Sequence, residues 1–469
     1  MPSTLSALDA ARDAPSRTAL CWDTGSLTYA ALGERVRRAM AHFTSRAAAE
    51  GQGPVAVVAA PRVETIVALW ALWELGLVTP LVHPRLTPPE RAELGGDAAW
   101  AIDESWSDAE LPEPEGEPAV AGRHAATQTL AVVYTSGSSG RPKGVSLSRG
   151  AFEASARASE ANLGWHEGDR WLLSTPLAHV GGLSVLTRCL LARRTVVLAP
   201  WAGSDVGAFT ETVSRHRVTL LSLVPTILHR LFESDGGWRL PGHVRAALLG
   251  GAPASGALLR EAAARGAPTL TTYGMSETCA QVATQRPGTR PDEGQGVGPP
   301  LPGVDLRIEG GEILVRGPMM MSGYLRGGDP WLEGGWFPTG DLGALDEQGR
   351  LHVLGRRSDT IITGGENVSP REVELVLEGH PGVAQACVFG VDDERWGQIV
   401  AAALVPSPLV PLDEDALATS VASRLAPHKR PRRVAIVEGL PTDAAGKVRR
   451  REVAGLCARD LRPWGGRFR

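Results

Sequence analysis

Short apolar runs that end at turn-forming residues alternate with longer Ala- and Leu-rich stretches along the first two thirds of the chain. The apolar runs have the length of strands, and they are Pro54–Ala59, Thr129–Thr135, Trp171–Ser174, Arg194–Leu198, Thr219–Val224 and Val244–Leu249. The stretches between them favour helices, as at Ala151–Asn162 and Ala208–His216. Strands that alternate with helices predict βαβ units and parallel sheets with helices on both faces.

The pattern changes after Leu301, where short strands separated by Gly turns predict a small β-barrel-like part; they are Val304–Ile308, Glu312–Val315 and Leu351–Leu354. A second α/β unit begins near Ile361, and its elements are a helix at Pro370–Leu377, strands at Ala384–Val391 and Ile399–Val405 and a helix at Glu414–Leu425. We therefore expect an α/β protein with a large N-terminal domain (1–354), a hinge (355–360) and a small mobile α+β C-terminal domain (361–469).

Three segments bear on location and solubility. The most apolar window, Thr65–Val82, contains Glu74 and Pro80 and predicts a buried helix that runs into a strand rather than a membrane span. The segment Glu104–Arg123 is rich in Glu and Pro and predicts a surface loop. The N-terminus lacks a basic stretch followed by an apolar core, so we expect no secretory signal and a cytoplasmic protein.

Composition narrows the classes of function further. A length of 469 residues (49.5 kDa) excludes a single small module, and 43% hydrophobic with 21% charged residues is typical of a globular protein. The net charge of −4 gives no cationic field for binding nucleic acid. The five cysteines show no zinc-binding or C-x-x-C spacing and predict free or buried thiols in a reducing compartment.

Lysine is rare in this chain. Only Lys143, Lys429 and Lys447 are lysines among 48 basic residues, and a genome biased toward arginine codons explains such a ratio. Each remaining lysine is then informative, since arginine serves equally well as a solvated charge. Two of the three, Lys143 and Lys447, lie in the segments considered next.

The first chemistry-bearing segment follows an apolar strand and reads Tyr134-Thr135-Ser136-Gly137-Ser138-Ser139-Gly140-Arg141-Pro142-Lys143-Gly144. Hydroxyl and backbone N–H groups in such a loop converge on phosphate oxygens, and glycine leaves room for their approach. The pattern differs from the Walker phosphate loop, because Gly144 rather than Ser or Thr follows the lysine. A flexible Ser/Gly linker is the alternative, although linkers rarely follow a buried strand and end in Pro-Lys-Gly.

This segment resembles the phosphate loop of the AMP-forming adenylating enzymes, the superfamily of acyl-CoA synthetases, peptide-synthetase adenylation domains and luciferases. Four more segments follow in the order of that superfamily: Thr272-Tyr273-Gly274-Met275-Ser276-Glu277-Thr278, Gly335-Trp336-Phe337-Pro338-Thr339-Gly340-Asp341, Gly355-Arg356-Arg357-Ser358-Asp359 with Gly364-Gly365-Glu366-Asn367, and Pro441-Thr442-Asp443-Ala444-Ala445-Gly446-Lys447. The resemblance implies the adenylate-forming ligase fold. It also implies that a carboxylate attacks the α-phosphate of ATP, releases pyrophosphate and passes its acyl group to a thiol.

The resemblance implies roles for individual residues. Lys447 would bridge the substrate carboxylate and the phosphate region, where two anions meet and positive charge is needed. Glu277 would be the protein ligand of Mg²⁺, a hard cation that also binds the phosphates of ATP. Tyr273 would cover one face of adenine, and Asp341 and Arg356 would bind the ribose. The ATP-binding set is completed by Thr135, Ser136, Gly137, Ser138, Ser139, Gly140, Lys143, Gly251, Ala252 and Gly274.

Members of this superfamily rotate the small domain between adenylation and thioester formation. The resemblance places the pivot at Ser358, where many relatives carry Asp or Lys, and a hinge needs torsional freedom rather than charge. The rotation would withdraw Lys447 and bring in the loop that contains Gly364 and Gly365, which leave space for the pantetheine arm of CoA.

The sequence around these motifs suggests which carboxylic acid is the substrate. The runs Tyr273–Gln281, Ser222–Thr226, Arg356–Ile362 and Pro176–Leu183 are similar to those of o-succinylbenzoate–CoA ligases of menaquinone biosynthesis. That resemblance would place His179, Ser222, Thr272 and Gly274 in the acyl site, with His179 as a neutral donor to a substrate carbonyl and a catalytic residue. This substrate has a second carboxylate, for which Arg188 and Arg230 are the candidate cations; the sequence does not choose between them.

Three functions stay open on the sequence alone. The first is a ligase for o-succinylbenzoate that uses ATP, Mg²⁺ and CoA. The second is a ligase or carrier-loading enzyme for another aryl or acyl acid, and the third is an inactive nucleotide-binding homologue. The charged residues that the mechanism needs are all present, which disfavours the third. The oligomeric state is open as well, a homodimer included.

Overall fold

The computed structural model of the chain describes residues 4–114, 116, 125–135, 142–199, 205–234, 237–290, 294, 296–326, 328–442 and 447–464. Its helices are α1 (Ala7–Asp13), α2 (Tyr29–Glu50), α3 (Val63–Glu74), α4 (Pro88–Gly95), α5 (Arg149–Leu163), α6 (Val180–Ala192), α7 (Val206–Arg215), α8 (Pro225–Glu233), α9 (Gly256–Ala264), α10 (Pro370–Glu378), α11 (Glu414–Arg424) and α12 (Arg450–Cys457).

Its strands are β1 (Thr18–Trp22), β2 (Gly25–Thr28), β3 (Val55–Val58), β4 (Thr79–Val82), β5 (Trp100–Ile102), β6 (Thr129–Thr135), β7 (Lys143–Ser148), β8 (Arg170–Leu173), β9 (Thr195–Leu198), β10 (Leu220–Leu223), β11 (Ala246–Leu249), β12 (Thr269–Met275), β13 (Ala280–Thr284), β14 (Asp305–Glu309), β15 (Glu312–Arg316), β16 (Gly323–Tyr324), β17 (Phe337–Leu345), β18 (Leu351–Arg356), β19 (Ile361–Thr363), β20 (Glu366–Val368), β21 (Val383–Asp393), β22 (Gly397–Pro406), β23 (Arg433–Ile436) and β24 (Arg462–Pro463).

Two largely parallel sheets build the first part of the chain. Sheet A has eight strands in the order β13-β12-β11-β10-β8-β9-β1-β2, and only its two edge strands run antiparallel to their neighbours. Sheet B has six strands in the order β16-β7-β6-β4-β3-β5, of which β5, β3, β4 and β6 are mutually parallel. The parallel sheets are confirmed, and each of the six strands predicted there ends within two residues of an observed one.

A layer of helices separates the two sheets. Helix α6 packs on β8 and β9 of sheet A, α5 packs on β7 of sheet B, and the two helices pack on each other. Helix α3 is buried along nearly its whole length, because a helix that is apolar all round has to be covered on every side. Helix α3 and strand β4 together account for the apolar window Thr65–Val82. None of the helices in the described ranges is long and apolar enough to cross a membrane.

Two smaller sheets follow. Sheet C is antiparallel, in the order β14-β15-β17-β18, and forms the small β part that the sequence predicts. Sheet D has the order β20-β19-β22-β23-β24, with β21 paired to β22, and it has its own apolar cores. Strand β18 extends through Arg356, so the predicted hinge segment begins at the end of this strand. The boundaries 1–354, 355–360 and 361–469 stay a prediction.

The remaining sequence expectations concern a loop and the thiols. The described part of Glu104–Arg123 contains neither helix nor strand, and residues 115 and 117–123 lie outside the described residues. All five cysteines are buried and free, as predicted.

The carboxyl ends of β10, β11 and β12 meet at one edge of sheet A, where open parallel sheets bind their ligands.

Candidate active site

The predicted nucleotide-binding residues Tyr273, Asp341 and Arg356 meet at one carboxylate. The hydroxyl of Tyr273, in β12, donates to Oδ2 of Asp341 at 2.7 Å, and Nε of Arg356 lies 2.9 Å from Oδ1. Asp341 and Arg356 are opposite each other on β17 and β18, which fixes their ion pair. Asp341 is only 5% exposed, so both carboxylate oxygens are held in defined directions.

The charge state of Asp341 depends on opposing effects. Burial raises the pKa of its carboxyl above the ordinary aspartate value, whereas Arg356, the Tyr273 hydroxyl and Lys447 act to lower it. Lys447 therefore lies within electrostatic range of this carboxylate, although it is exposed and belongs to the C-terminal part of the chain. The predicted catalytic lysine thus contributes to the electrostatics of the predicted ribose site.

The turn that begins at Gly250 and Gly251 follows β11 and packs against β12. A Cβ atom on Gly250 would lie 2.6 Å from Cγ2 of Thr272, and Gly251 has a φ of +80°, a conformation that favours glycine. At Gly274 a Cβ atom would lie 1.5 Å from the carbonyl oxygen of Ala280, so no side chain fits there. The backbone alone requires these glycines, and the binding roles of Gly251, Ala252 and Gly274 stay predictions.

Glu277, Tyr324 and Lys143 form a second polar group. The hydroxyl of Tyr324, in β16, donates to Oε1 of Glu277 at 3.0 Å, and Nζ of Lys143 lies 5.1 Å from the centre of the Tyr324 ring. Burial and the neighbouring Glu277 raise the pKa of Tyr324, so it remains a donor. Sequence reasoning missed Tyr324. Its rarity, as one of four tyrosines in the chain, is a signal that could have found it.

The predicted phosphate loop is described only at its two ends. Thr135 and Lys143 face each other where the antiparallel strands β6 and β7 end. The segment between them connects two strands, whereas a Walker loop connects a strand to a helix. Ser136, Gly137, Ser138, Ser139 and Gly140 lie outside the described residues.

Two of the predicted acyl-site residues, Ser222 and Thr272, differ in what their hydroxyls already bind. Ser222, in β10, accepts a hydrogen bond from Nε1 of Trp171 at 3.1 Å, and no described residue accepts its own hydroxyl hydrogen. Thr272 donates to the carbonyl oxygen of Ala283 at 3.1 Å and accepts from Nε2 of Gln281. Ser222 therefore has a free donor, whereas the hydroxyl of Thr272 is committed within the protein.

His179, the third acyl-site residue, immediately precedes α6, and its ring lies 5.5 Å from that of His83. Burial lowers the pKa of His83 to about 4, and the nearby His179, Arg85 and Arg91 act in the same direction. At neutral pH the protein thus places an uncharged imidazole beside His179. Sequence reasoning missed His83, since a single histidine after a strand follows no pattern.

The predicted pivot, Ser358, lies in the middle of an exposed 3₁₀ turn, Arg357–Asp359. Before it, Nη1 of Arg357 lies 2.8 Å from Oε2 of Glu312 in sheet C. After it, Oδ2 of Asp359 lies 3.3 Å from Nε of Arg450 in α12. The two neighbours of Ser358 are therefore tied to opposite sides of the predicted hinge.

The predicted CoA loop contains Gly364 and Gly365, which form the two-residue turn of the β19–β20 hairpin. Both have positive φ, +59° and +84°, as in the hairpin turns that prefer glycine. A Cβ atom on Gly364 would lie 2.6 Å from the Trp396 ring, whereas one on Gly365 would meet no described atom within 4 Å. Only Gly365 borders open space, and the role of the loop in CoA binding stays a prediction.

Comparison with protein families gives two matches. The model described as "AMP-binding enzyme" matches residues 8–101 and 94–325, and "AMP-binding enzyme C-terminal domain" matches residues 372–447. The chain is also 35% identical over 467 residues to a 2-succinylbenzoate–CoA ligase from Bacillus cereus. That alignment covers 94% of this chain and 96% of the relative.

Solved structures extend the similarity to three dimensions. The o-succinylbenzoate CoA synthetase from Bacillus subtilis, in complex with its acyl-adenylate intermediate, matches with a TM-score of 0.85 and 33% identity over 99% of both chains. A double mutant of the same enzyme, bound to a product analogue, matches at the same identity with a TM-score of 0.70, over 97% of this chain and 98% of the other.

Proposed function

The chain belongs to the AMP-binding enzyme family, and from that premise we propose that it converts o-succinylbenzoate and CoA to o-succinylbenzoyl-CoA. ATP, with Mg²⁺, activates the acid as an acyl adenylate and pyrophosphate leaves; CoA then displaces AMP. This is the ligase step of menaquinone biosynthesis. The observation that carries the proposal is the 35% identity to a 2-succinylbenzoate–CoA ligase along almost the whole of both chains.

The nucleotide site supports the first half-reaction. The carboxylate of Asp341 is buried and oriented by Arg356 and Tyr273, and a fixed carboxylate of this kind accepts hydrogen bonds from the two ribose hydroxyls. Burial raises the pKa of the Asp341 carboxyl, and Arg356 offsets part of that effect. Thr272, the neighbour of Tyr273 in β12, lies against the glycine turn that follows β11, and the aromatic ring of Tyr273 would offer adenine a surface for stacking near that turn.

The residues at the phosphate end fit Mg²⁺. In the described ranges no three His, Cys, Asp or Glu side chains are grouped as a metal cage, and Glu277 is the carboxylate at this position. Magnesium is usually held by one or two carboxylates together with substrate phosphates and water. Glu277, oriented by Tyr324, would hold the ion, which supplies charge neutralisation at the phosphates, and Lys143 would bind a phosphate oxygen.

The acyl site provides donors for an uncharged oxygen of the substrate. Ser222 has a free hydroxyl hydrogen at the end of β10, suited to the keto group of o-succinylbenzoate. The neutral His83 beside His179 adds no positive charge there. His179 would then act as a neutral hydrogen-bond donor to a substrate carbonyl.

Two observations support an arrangement of the two parts of the chain that suits adenylate formation. Lys447 acts on Asp341, and the structure matches the adenylate complex of the Bacillus subtilis enzyme better than the complex with the product analogue, with TM-scores of 0.85 and 0.70. Rotation at Ser358, between the anchored residues Arg357 and Asp359, would exchange Lys447 for the Gly364-Gly365 loop in the second half-reaction.

The activity is tested with purified protein, ATP, Mg²⁺, CoA and o-succinylbenzoate. We expect AMP, pyrophosphate and the thioester in equal amounts, since attack occurs at the α-phosphate. Stoichiometric ADP would contradict adenylation. Benzoate, cinnamate and a fatty acid serve as comparison substrates, and turnover of any of these without turnover of o-succinylbenzoate would contradict the substrate and leave the chemistry standing.

A prediction about pH follows from Asp341. Because its pKa is raised, the carboxyl takes up a proton at a higher pH than an ordinary aspartate and then loses an acceptor for the ribose. The KM for ATP should therefore rise as the pH falls below neutral, whereas it should vary little with pH in Asp341→Asn, which has no such carboxyl. Asp341→Ala should weaken ATP binding by about 1–3 kcal/mol. Initial rates at varied ATP measure both, and parallel pH profiles for wild type and Asp341→Asn would exclude Asp341 as the titrating group.

A further inference from the structure

A buried arginine of the C-terminal part of the chain reaches across to the N-terminal part. Arg371, in α10, is 7% exposed, and its Nη2 donates to the carbonyl oxygen of Ala254 at 3.0 Å. Ala254 lies between the glycine turn that follows β11 and the start of α9. The contact therefore joins α10 to the short segment that carries Gly251 and Ala252, two of the residues predicted to bind ATP.

The direction of this guanidinium is fixed by the C-terminal part itself. Nη1 of Arg371 lies 3.0 Å from Oε2 of Glu378 and 3.6 Å from Oε2 of Glu374. The other oxygens of these two carboxylates accept hydrogen bonds from the backbone N–H groups of Ala386 and Val388 in β21. These partners hold the guanidinium so that Nη2 is presented to the N-terminal part.

The start of α10 packs closely against the N-terminal part. Helix α10 contacts β18 and α9, and the hydroxyl of Ser369 donates to the carbonyl oxygen of Leu354. A Cβ atom on Gly355 would lie 3.3 Å from Cβ of Arg371, so the backbone beside the predicted hinge approaches the arginine closely. The bond to Ala254 thus belongs to a packed junction.

The chemistry of this bond favours the present arrangement of the two parts. Burial opposes a charge on Arg371, but Glu378 and Glu374 more than offset this effect and raise the pKa of the guanidinium, so it stays charged. A hydrogen bond from a charged donor is stronger than one between neutral groups, and a buried donor without an acceptor is unfavourable. An arrangement that moves α10 away from Ala254 therefore has to supply another acceptor or water.

Arg357 and Glu312 also pair across the predicted hinge, but the side chain of Arg357 is 69% exposed. Water and salt screen exposed ion pairs, whereas the guanidinium of Arg371 is shielded from both. We therefore expect the bond between Arg371 and Ala254 to have the larger effect on how the two parts are arranged.

We propose that Arg371 is a positioning residue that docks the C-terminal part on the adenine-side turn and couples this docking to nucleotide binding, an inference that rests on the proposed function. The same segment offers its turn to adenine and its Ala254 carbonyl to Arg371. A nucleotide that orders the segment favours docking, and by linkage docking favours the nucleotide to the same extent. Docking is needed while Lys447 acts, so Arg371 should serve adenylation and not thioester formation.

Arg371→Lys separates the two contacts of the guanidinium. An ammonium keeps the charge beside Glu378 but lacks the second arm that reaches Ala254. We expect pyrophosphate release from ATP and o-succinylbenzoate to slow by about 10-fold, the scale of one hydrogen bond from a charged group, and the KM for ATP to rise. Thioester formation from synthetic o-succinylbenzoyl-AMP and CoA should keep nearly the wild-type rate.

Arg149→Lys is the matched control. Arg149 is also buried and donates to a backbone carbonyl, but within the N-terminal part. Its replacement should lower the unfolding temperature and leave the ratio of the two half-reactions unchanged. The double variant Arg371→Met with Glu378→Gln removes both charges of the ion pair, so it leaves no unpaired carboxylate at residue 378 and should repeat the selectivity of Arg371→Lys.

A distance measurement tests docking without any acid. All five cysteines are buried, so cysteines introduced at the exposed Ser45 in α2 and Ser423 in α11 can be spin-labelled selectively. With α,β-methylene-ATP and Mg²⁺ we expect one dominant distance between the labels when Arg371 is present. In Arg371→Lys a second distance should be populated under the same conditions.

Several outcomes would overturn the role of Arg371. They are equal slowing of both half-reactions in Arg371→Lys, unchanged rates in both, or the same label distances with and without Arg371. A changed ratio of half-reactions in Arg149→Lys as well would show a general effect of lost stability instead. Wild-type protein that forms no adenylate from o-succinylbenzoate would contradict the proposed function, whereas the label distances would still decide whether Arg371 docks the C-terminal part.

Discussion

Replacing Lys447 by alanine should slow adenylate formation by on the order of 10²–10³-fold, or about 3–4 kcal/mol. The reacting carboxylate and the α-phosphate are both anionic, so negative charge gathers where they meet and a fixed cation stabilises the transition state. In the structure the charge of Lys447 already acts on the buried carboxylate of Asp341. This interaction is expected of a lysine that acts during adenylate formation.

The two half-reactions are measured separately. Pyrophosphate release from ATP and o-succinylbenzoate reports the first, and thioester formation from synthetic o-succinylbenzoyl-AMP and CoA reports the second. Lys447→Ala should retain nearly the wild-type rate in the second, because rotation has carried the residue away. Lys447→Arg should also fail in the first, since a planar guanidinium replaces a compact ammonium poorly between two oxygens.

Lys429 provides a matched control. It is a lysine of the same C-terminal part of the chain, and its ammonium pairs with Glu372 at 2.6 Å. Lys429→Ala should slow neither half-reaction selectively. If Lys447→Ala slowed both half-reactions equally, the two-arrangement mechanism would be wrong for this protein, and Lys447 would more simply hold the C-terminal domain in place.

Local patterns predicted the elements of the fold well and their pairing less well. Strand β6 has the predicted bounds, Thr129–Thr135, because an apolar run that ends at polar residues reports burial directly. The order of sheet A, in which β1 pairs with β9, depends on contacts between distant segments that no local window contains. The same holds for the antiparallel pairing of β7 with β6 on either side of the predicted phosphate loop.

The residues of the candidate site were likewise predicted only in part. Motifs identified Tyr273, Asp341 and Arg356, which the fold does bring to one carboxylate. Tyr324 and His83 were missed because each acts through one contact to a residue far along the chain, Glu277 or His179. The sequence named Arg188 and Arg230 without choosing between them, since the burial of Arg188 is a property of tertiary packing.

The second large effect concerns the hinge, where Ser358→Pro should spare adenylation and slow thioester formation by about 100-fold. Residues of a 3₁₀ turn have φ near −60°, close to the value that proline imposes, and no described residue accepts a hydrogen bond from the N–H of Ser358. The φ and the N–H of residue 358 are therefore compatible with proline in the present arrangement. An arrangement that needs another φ at this residue would cost about 3 kcal/mol, the scale of a misplaced proline, which corresponds to about 100-fold in rate.

The same two assays measure this variant, with Ser358→Ala as the control that keeps φ free and should behave as wild type. Arg357 and Asp359 pair with residues on opposite sides of the predicted hinge, so we expect the backbone between them to absorb the rotation. Charge reversal at Arg357 provides an independent check, because loss of its ion pair with Glu312 should weaken this arrangement and slow pyrophosphate release more than thioester formation.

Ser358→Pro and Lys447→Ala are thus expected to give opposite patterns. If Ser358→Pro slowed adenylation as much as thioester formation while remaining folded, the pivot would lie elsewhere in the 355–360 segment.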